Sequence, residues 1–124
     1  MAGTNLWLVT AGVVGAAGVA LGAFGAHALE SRLSTDMLAI YDTASRYHLV
    51  HAVALIGVAW VSNNRKASVW PNRAGWLLTA GLLVFSGSLY VLAMTGATWL
   101  GAVTPIGGLL MIAGWLAMAL AARG

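Results

Sequence analysis

The stretch LWLVTAGVVGAAGVALGAFGA, residues 6–26, runs for 21 residues without a charged side chain. A helix rises 1.5 Å per residue, so about 20 apolar residues are needed to cross a hydrocarbon core about 30 Å thick. The stretch therefore has the length and composition of a membrane-spanning helix. It is too long for the apolar region of a secretory signal, and no Lys or Arg precedes it, so the A-x-A pattern at 26–28 is not interpreted as a cleavage site.

The composition of the whole chain also indicates a membrane protein. Of 124 residues, 60% are hydrophobic and 7% are charged, and the mean hydropathy is +0.87. Soluble domains carry about 25% charged residues, so this chain has too few to cover a surface that faces water. Six basic residues are too few and too scattered for a nucleic-acid-binding face, and the lack of cysteine excludes disulfides and thiolate metal sites.

Three further segments satisfy the same length requirement. The predicted helices of this single domain, residues 1–124, cover about 6–29, 37–61, 74–95 and 105–122. The connections between them are short, which favours antiparallel neighbours. The predicted fold class is therefore all-α, an integral membrane protein built as an antiparallel bundle of four transmembrane helices.

Capping residues mark two of the helix starts. The charged turn before the second helix offers Ser34, Thr35 or Asp36 as its cap. Thr104 and Pro105 favour a start of the fourth helix, with the Thr104 hydroxyl at the N-cap and proline in the first turn, where its missing N–H costs nothing. Both signals support the division into spans.

The basic residues predict the orientation of the chain. With four spans, both termini share one side with the loop between the second and third helices. That side carries Arg65, Lys66, Arg73 and Arg123, whereas the other side has Arg32 in the first turn and Arg46 inside the second helix. Basic residues accumulate on the cytoplasmic side of membrane proteins. We therefore expect a multi-pass protein with cytoplasmic N- and C-termini.

The tryptophans agree with the predicted span ends, where aromatic side chains form belts at the membrane surface. The residues at or near these ends are Trp7, Trp60, Trp70, Trp76 and Trp99. Trp115 is the exception, because it lies inside the fourth span.

Glycines recur along the first and fourth helices at a spacing that lets another backbone approach closely. The positions expected to serve helix packing are Gly18, Gly22, Gly25, Gly107 and Gly108. Gly18 and Gly22 form a G-x-x-x-G pair. We expect the strip on the first helix to pack within the molecule, with a dimerisation face, and so a homo-oligomer, as the alternative.

Polar residues concentrate in one fifth of the chain. All three histidines and all three acidic residues lie between His27 and His51. Asp42 and Arg46 are four residues apart on one helix and can neutralise each other, as expected of a structural or interfacial ion pair. Ser86 and Tyr90 add hydroxyls in the third helix that are expected to satisfy the histidines or their own backbone. The candidate polar cluster comprises His27, Arg46, Tyr47, His48, His51, Ser86 and Tyr90.

The cluster admits a structural and a chemical interpretation. Tyr47 and His51, also four residues apart, favour a hydrogen-bonded core pair that fixes the second helix against its neighbours. A site formed by His27, His48 and His51 could instead hold zinc or bind haem. A hydrolase needs a nucleophile beside a base, and Ser45 near His48 is the one close pair. We favour the structural interpretation, with no catalytic residue, no metal ligand and no cofactor.

Four segments resemble the family of small membrane proteins grouped as domain of unknown function 423, related to the transmembrane protein 256 family of eukaryotes. They are ALGAFGAHAL at 20–29, YHLVHAVAL at 47–55, FSGSLYVLAM at 85–94 and TPIGGLLMIAGW at 104–115. The resemblance covers all four spans in order. It implies a bacterial inner-membrane protein of four helices and brings no established activity.

The resemblance also singles out positions. They are Gly22, Phe24, Gly25 and His27 in the first motif, Tyr47 and His51 in the second, Ser86, Gly87, Ser88 and Tyr90 in the third, and Thr104, Pro105, Gly107 and Gly108 in the fourth. Asp42 and Arg46 fall outside these motifs. This favours His27, Tyr47 and His51 over the ion pair as functional residues.

The leading hypothesis is a non-enzymatic inner-membrane protein that acts through membrane lipids or protein partners. The alternative is a small-molecule site for haem, a metal, a quinone or a lipid headgroup, built from the polar cluster in the outer leaflet. A channel would need a polar path through the inner leaflet. The second helix offers none from Ala52 to Val61, so only an oligomer could form one.

Overall fold

Four long helices account for most of the chain. The computed structural model describes residue 3 and residues 5–123. Its elements are α1 at Leu6–Phe24, which continues as a π-helical segment at Gly25–Leu29, α2 at Thr35–Asn64, α3 at Trp70–Thr95, a 3-10 turn at Thr98–Ala102, and α4 at Thr104–Ala121. The described part of the chain contains no strand. The prediction of an all-α protein with four helices long and apolar enough to span a membrane is confirmed.

The second and third helices begin earlier than predicted. Ser34 caps α2, because its side-chain oxygen accepts from the Met37 backbone N–H at 3.2 Å. Pro71 occupies the first turn of α3, where a missing N–H is tolerated, so the helix begins at Trp70 instead of near residue 74. At 30 residues, α2 is about 45 Å long and extends beyond a hydrocarbon core of about 30 Å.

The expected N-cap role of Thr104 is wrong. Val103 is the N-cap of α4, and Thr104 is already helical. Its hydroxyl lies 3.2 Å from the Leu100 carbonyl oxygen in the preceding turn and 2.6 Å from the Ser88 hydroxyl. The side chain therefore joins α4 to α3 instead of satisfying the first N–H groups of its own helix.

Consecutive helices pack against each other, α1 on α2, α2 on α3 and α3 on α4. The contacts run in opposite directions along each pair. Gly18 lies against His48 and Leu49, and Gly25 lies against Tyr41, whose number is smaller. The middle helices α2 and α3 are more buried than α1 and α4. Two residues that contact each other across neighbouring helices therefore lie at the same depth in the bundle.

Glycine brings α3 and α4 into backbone contact. A Cβ atom on Gly107 would lie 2.7 Å from the Gly81 carbonyl oxygen and 2.8 Å from Phe85 Cα. One on Gly114 would lie 2.7 Å from the Leu78 side chain. Gly108 is different, because its nearest neighbour would be the Phe85 ring at 3.9 Å, an ordinary contact distance. Of the two glycines predicted to serve packing in α4, Gly107 faces α3 closely and Gly108 does not.

The end of the bundle that carries the N-terminus is tied together by polar side chains. Asn5 caps α1 and also donates from its side-chain amide to the Ala59 carbonyl at 3.2 Å. The Trp7 indole N–H donates to Asn72 Oδ1 at 3.1 Å, and the ring lies over Gly75. Trp7 is buried, whereas Trp60 faces outward as expected of a belt residue. These bonds fix α1 against the end of α2 and the start of α3.

Candidate functional site: a hydrogen-bonded polar core

His48 of α2 links three helices. Its Nε2 lies 2.8 Å from the Val14 carbonyl oxygen of α1, and its Nδ1 lies 3.0 Å from the Tyr90 hydroxyl of α3. A carbonyl oxygen can only accept, so Nε2 carries the proton and donates it to Val14. In the neutral ring, Nδ1 then accepts the Tyr90 O–H. His48 is therefore the Nε2–H tautomer, with a partner at each nitrogen.

His51, one helical turn further along α2, has the opposite tautomer. Its Nδ1 lies 2.7 Å from the Tyr47 carbonyl oxygen, so Nδ1 carries the proton. Its Nε2 accepts the Trp115 indole N–H at 3.0 Å. This bond joins α2 to α4 and explains why a tryptophan lies in the interior of the fourth span.

Tyr90 and Trp115, the hydrogen-bond partners of the two histidines, differ in whether they can accept a hydrogen bond as well as donate one. A hydroxyl can donate or accept, so the Tyr90 side chain can serve His48 with or without a second ring proton. An indole N–H can only donate, so a proton on Nε2 of His51 would face the Trp115 N–H directly. In this arrangement a donor occupies the lone-pair nitrogen of each ring, so neither ring offers a free lone pair.

Glycine on α1 makes room for the buried His48. A Cβ atom on Gly18 would lie 2.7 Å from Leu49 Cδ2 and 3.3 Å from the His48 ring. Without a side chain at this position, the imidazole reaches past the helix surface to the Val14 carbonyl. The strip of small residues on α1 thus positions the polar core as well as packing the helices.

Aromatic rings surround the histidines. Tyr90 meets Tyr41 edge to face at a centroid distance of 5.0 Å, and Tyr41 donates its hydroxyl to the Leu21 carbonyl of α1. Tyr47 stacks on His51 at 6.1 Å and contacts the Phe85 ring at 4.6 Å. These contacts fill the space around the imidazoles with carbon atoms and limit access to them.

The serines of α3 bind backbone carbonyls, not the histidines. Ser86 is buried and donates to the Ala44 carbonyl of α2 at 2.8 Å. Ser88 lies 2.9 Å from the Phe85 carbonyl and 2.6 Å from the Thr104 hydroxyl. Of the hydroxyls predicted to satisfy the histidines, only that of Tyr90 does so.

The structure separates His27 from the other predicted cluster members. The His27 side chain is exposed and makes no hydrogen bond within the described residues. The opposite course of α1 and α2 gives the reason. His48 lies at the level of Gly18, nine residues before His27, which is about 13 Å along the helix. The expected meeting of His27 with Tyr47 and His51 is therefore wrong.

Arg46 also lies outside the buried core. Its guanidinium binds the Asp42 carboxylate at 2.7 Å on the exposed face of α2, where the two side chains are 70% and 68% exposed. Over residues 3 and 5–123, no group of three His, Cys, Asp or Glu side chains is arranged to hold a metal ion. The predicted cluster thus divides into an inner group of His48, His51, Ser86 and Tyr90 and three exposed members, His27, Arg46 and Tyr47.

Sequence reasoning missed two partners of the core. Val14 contributes only its backbone, so no residue pattern could reveal it. Trp115 did carry a signal, because an indole N–H in the middle of a span needs an acceptor, and neutral histidine is one of the few available there.

A groove of about 370 Å³ separates the end of α1 from the first half of α2. Gly22 and Gly25 line it on α1, and Tyr41 and Ser45 line it on α2. None of the histidines lines this groove. This groove therefore lies beside the polar core and does not reach the imidazoles.

A known protein family matches the sequence over most of the four helices. The sequence profile of the family described as "Protein of unknown function (DUF423)" matches residues 21–108, which include α2, α3 and the start of α4. The chain belongs to the DUF423 family. The resemblance drawn from the sequence motifs is confirmed.

Bacterial relatives of this DUF423 protein are similar to it over about four fifths of the chain. A UPF0382 membrane protein of Staphylococcus haemolyticus is 50% identical over 98 residues, 79% of each chain. One from Staphylococcus epidermidis is 47% identical over 83% of each chain. The UPF0382 membrane protein YwdK of Bacillus subtilis is 42% identical over 84% of this chain and 85% of its own. No solved structure matches.

Proposed function

We propose that this DUF423 protein is a non-enzymatic protein of the bacterial inner membrane that acts through contacts with lipids and partner proteins. One observation carries the proposal: both ring nitrogens of His48 and of His51 are hydrogen-bonded inside the protein. To bind a metal, ligate haem or act as a general base, either of these histidines would need a ring nitrogen with an available lone pair. The polar core supports a structural role, in which it fixes the positions of four helices.

The hydroxyl groups support the same conclusion. A nucleophilic serine needs a base within hydrogen-bond reach. In the described part of the chain, Ser86 and Ser88 bond to backbone carbonyls or to Thr104, and no serine hydroxyl is hydrogen-bonded to a histidine. These two serine hydroxyls therefore hold helices together, whereas an enzyme would need a serine activated by a neighbouring base.

Spectroscopy and mass measurement test the non-enzymatic role. Protein purified from membranes should show no haem absorption band and no stoichiometric metal by elemental analysis. Besides the signals of the exposed His27, histidine ¹⁵N spectra should show one Nε2–H ring for His48 and one Nδ1–H ring for His51, both unchanged by added zinc. Stoichiometric zinc or haem that is lost in the His51→Gln variant would overturn the proposal.

The proposed orientation places both termini and the turn between α2 and α3 in the cytoplasm. Arg65 and Lys66 in that turn and Arg73 at the start of α3 support it, since basic residues favour the cytoplasmic side. The chain lacks cysteine, so single reporters can be introduced cleanly. Ser31→Cys should react with an impermeant maleimide in intact spheroplasts, and Ala67→Cys only after lysis. The reverse labelling pattern would show that the proposed orientation is wrong.

A further inference from the structure

The groove between α1 and α2 has a floor of small and apolar residues with the Ser45 hydroxyl among them, and a charged rim. Small residues of α1, among them Gly22, Gly25 and Ala26, form one wall, and Leu38 and Tyr41 form the other. Gly25 is what lets the walls approach, because a Cβ atom there would lie 2.8 Å from Tyr41 Cδ1. The groove is therefore a built feature of the interface between the end of α1 and α2, and it continues past Gly25 and Tyr41 to Gly22 and Ser45, one turn deeper on each helix.

The rim of the groove carries two negative charges, and the positive charge of Arg46 lies next to one of them. Glu30 and Asp42 are the charged residues that line the groove. Glu30 forms no ion pair within residues 3 and 5–123, whereas Asp42 binds Arg46 through a single guanidinium nitrogen. Arg46 keeps further N–H donors free on the exposed face of α2. The rim thus presents two carboxylates beside one guanidinium.

The position of the rim matches the headgroup zone of a bilayer. α1 and its π-helical segment end at Leu29, just before Glu30. Asp42 lies seven residues into α2, about 10 Å along a helix that extends beyond the hydrocarbon core. Both carboxylates therefore lie where lipid amines and phosphates are found, above walls that suit acyl chains.

We propose that this groove binds a phospholipid whose headgroup carries a primary amine. The ammonium lies between Glu30 and Asp42, the phosphate lies beside Arg46, and the acyl chains follow the small residues of α1. A primary ammonium has three N–H donors for the two carboxylates, which a quaternary amine lacks. The inference rests on the proposed role in lipid contact and names the lipid class involved.

Native mass spectrometry of the full chain tests the inference. The protein is equilibrated in micelles with equimolar phosphatidylethanolamine, phosphatidylcholine and phosphatidylglycerol of identical acyl chains. We expect the phosphatidylethanolamine adduct to exceed each of the others by about tenfold, in line with charge-assisted hydrogen bonds to two carboxylates. Equal retention of all three lipids would overturn the inference.

Matched variants locate the binding. Glu30→Gln should reduce the preference to about twofold, since one charge-assisted contact is lost. Asp36→Asn removes the same kind of charge at a position that does not line the groove and should leave the preference intact. Ala26→Leu should fill the groove and abolish it, whereas Ala23→Leu, an exposed position that does not line the groove, should not. An unchanged preference in Ala26→Leu would overturn the assignment of the site.

The source of the amine and the wider proposal are tested separately. Soluble phosphoethanolamine should not displace the bound lipid at equal concentration, because it lacks the acyl chains that occupy the floor. Displacement would contradict a lipid occupant. Loss of lipid preference with a metal-free, colourless protein would reject this inference alone, whereas haem or zinc adducts in the same spectra would reject the proposed function.

Discussion

The α1–α2 and α3–α4 interfaces both depend on glycine, but the glycines admit different neighbours. Between α3 and α4, a Cβ atom on Gly81 would lie 2.7 Å from the Met111 backbone nitrogen, and Gly107 faces the Phe85 backbone. Between α1 and α2, the glycines face side chains: Gly18 faces Leu49 and the His48 ring, and Gly25 faces the Tyr41 ring. One pair of helices is in backbone contact, and the other is separated by inserted aromatic rings.

The difference shows two ways to hold helices together where the hydrophobic effect gives no net attraction. Close backbone approach gains dispersion energy over many atoms and needs no polar group. The inserted rings instead use hydrogen bonds, since His48 and Tyr41 donate to the Val14 and Leu21 carbonyls of α1. The ring-filled interface leaves a groove beside it, and that groove is the proposed lipid site.

The largest effect is expected where backbone opposes backbone. Gly107→Ala should lower the free energy of unfolding by about 3 kcal/mol, at the upper end for overpacking, because neither helix backbone can move aside locally. Gly108→Ala is the matched control, with its nearest neighbour at 3.9 Å. Reversible unfolding in bicelles measures both. Equal stability of the two variants would contradict close packing at Gly107.

A smaller loss is expected where glycine faces a ring. Gly25→Ala should cost about 2 kcal/mol, because Tyr41 can shift at the expense of its bond to the Leu21 carbonyl. Gly12→Ala, with no atom within 4 Å of the added methyl, should be close to neutral. If Gly25→Ala proved more damaging than Gly107→Ala, the proposed contrast between the two interfaces would be wrong.

Removal of a single hydrogen bond tests the polar side of the contrast. Trp115→Phe keeps an aromatic ring at this position but leaves Nε2 of His51 without a donor, which should cost about 1 kcal/mol. The same variant should shift the ¹⁵N resonance of His51 Nε2, because that nitrogen no longer accepts the indole N–H. Trp99→Phe, at a position 69% exposed, should change neither property. An unaltered His51 spectrum in Trp115→Phe would reject the assigned tautomer.

The sequence was sufficient for the spans, since length and hydropathy depend only on residue type and order. Ser34 was among the cap residues predicted for α2, because capping is a local interaction. The partners of the glycines were not predictable, since they depend on how the helices are rotated and offset. His27 is an intermediate case. His27 is close in the chain to the short turn between α1 and α2, whereas His48 and His51 are far from it. In antiparallel helices this difference already predicts that His27 lies at another depth.

The smallest effect is expected for the ion pair, which joins no two helices. Asp42 and Arg46 lie four residues apart on one exposed face of α2, so water or headgroups can replace either partner. A double-mutant cycle with Asp42→Asn and Arg46→Gln, measured in maltoside micelles without amine lipids, should give a coupling energy of about 0.3 kcal/mol. A coupling above about 1 kcal/mol, outside the range for exposed pairs, would mean that the pair is shielded as the buried interfaces are. Repetition of the cycle with phosphatidylethanolamine present should change the coupling, because the proposed site places the lipid amine beside Asp42.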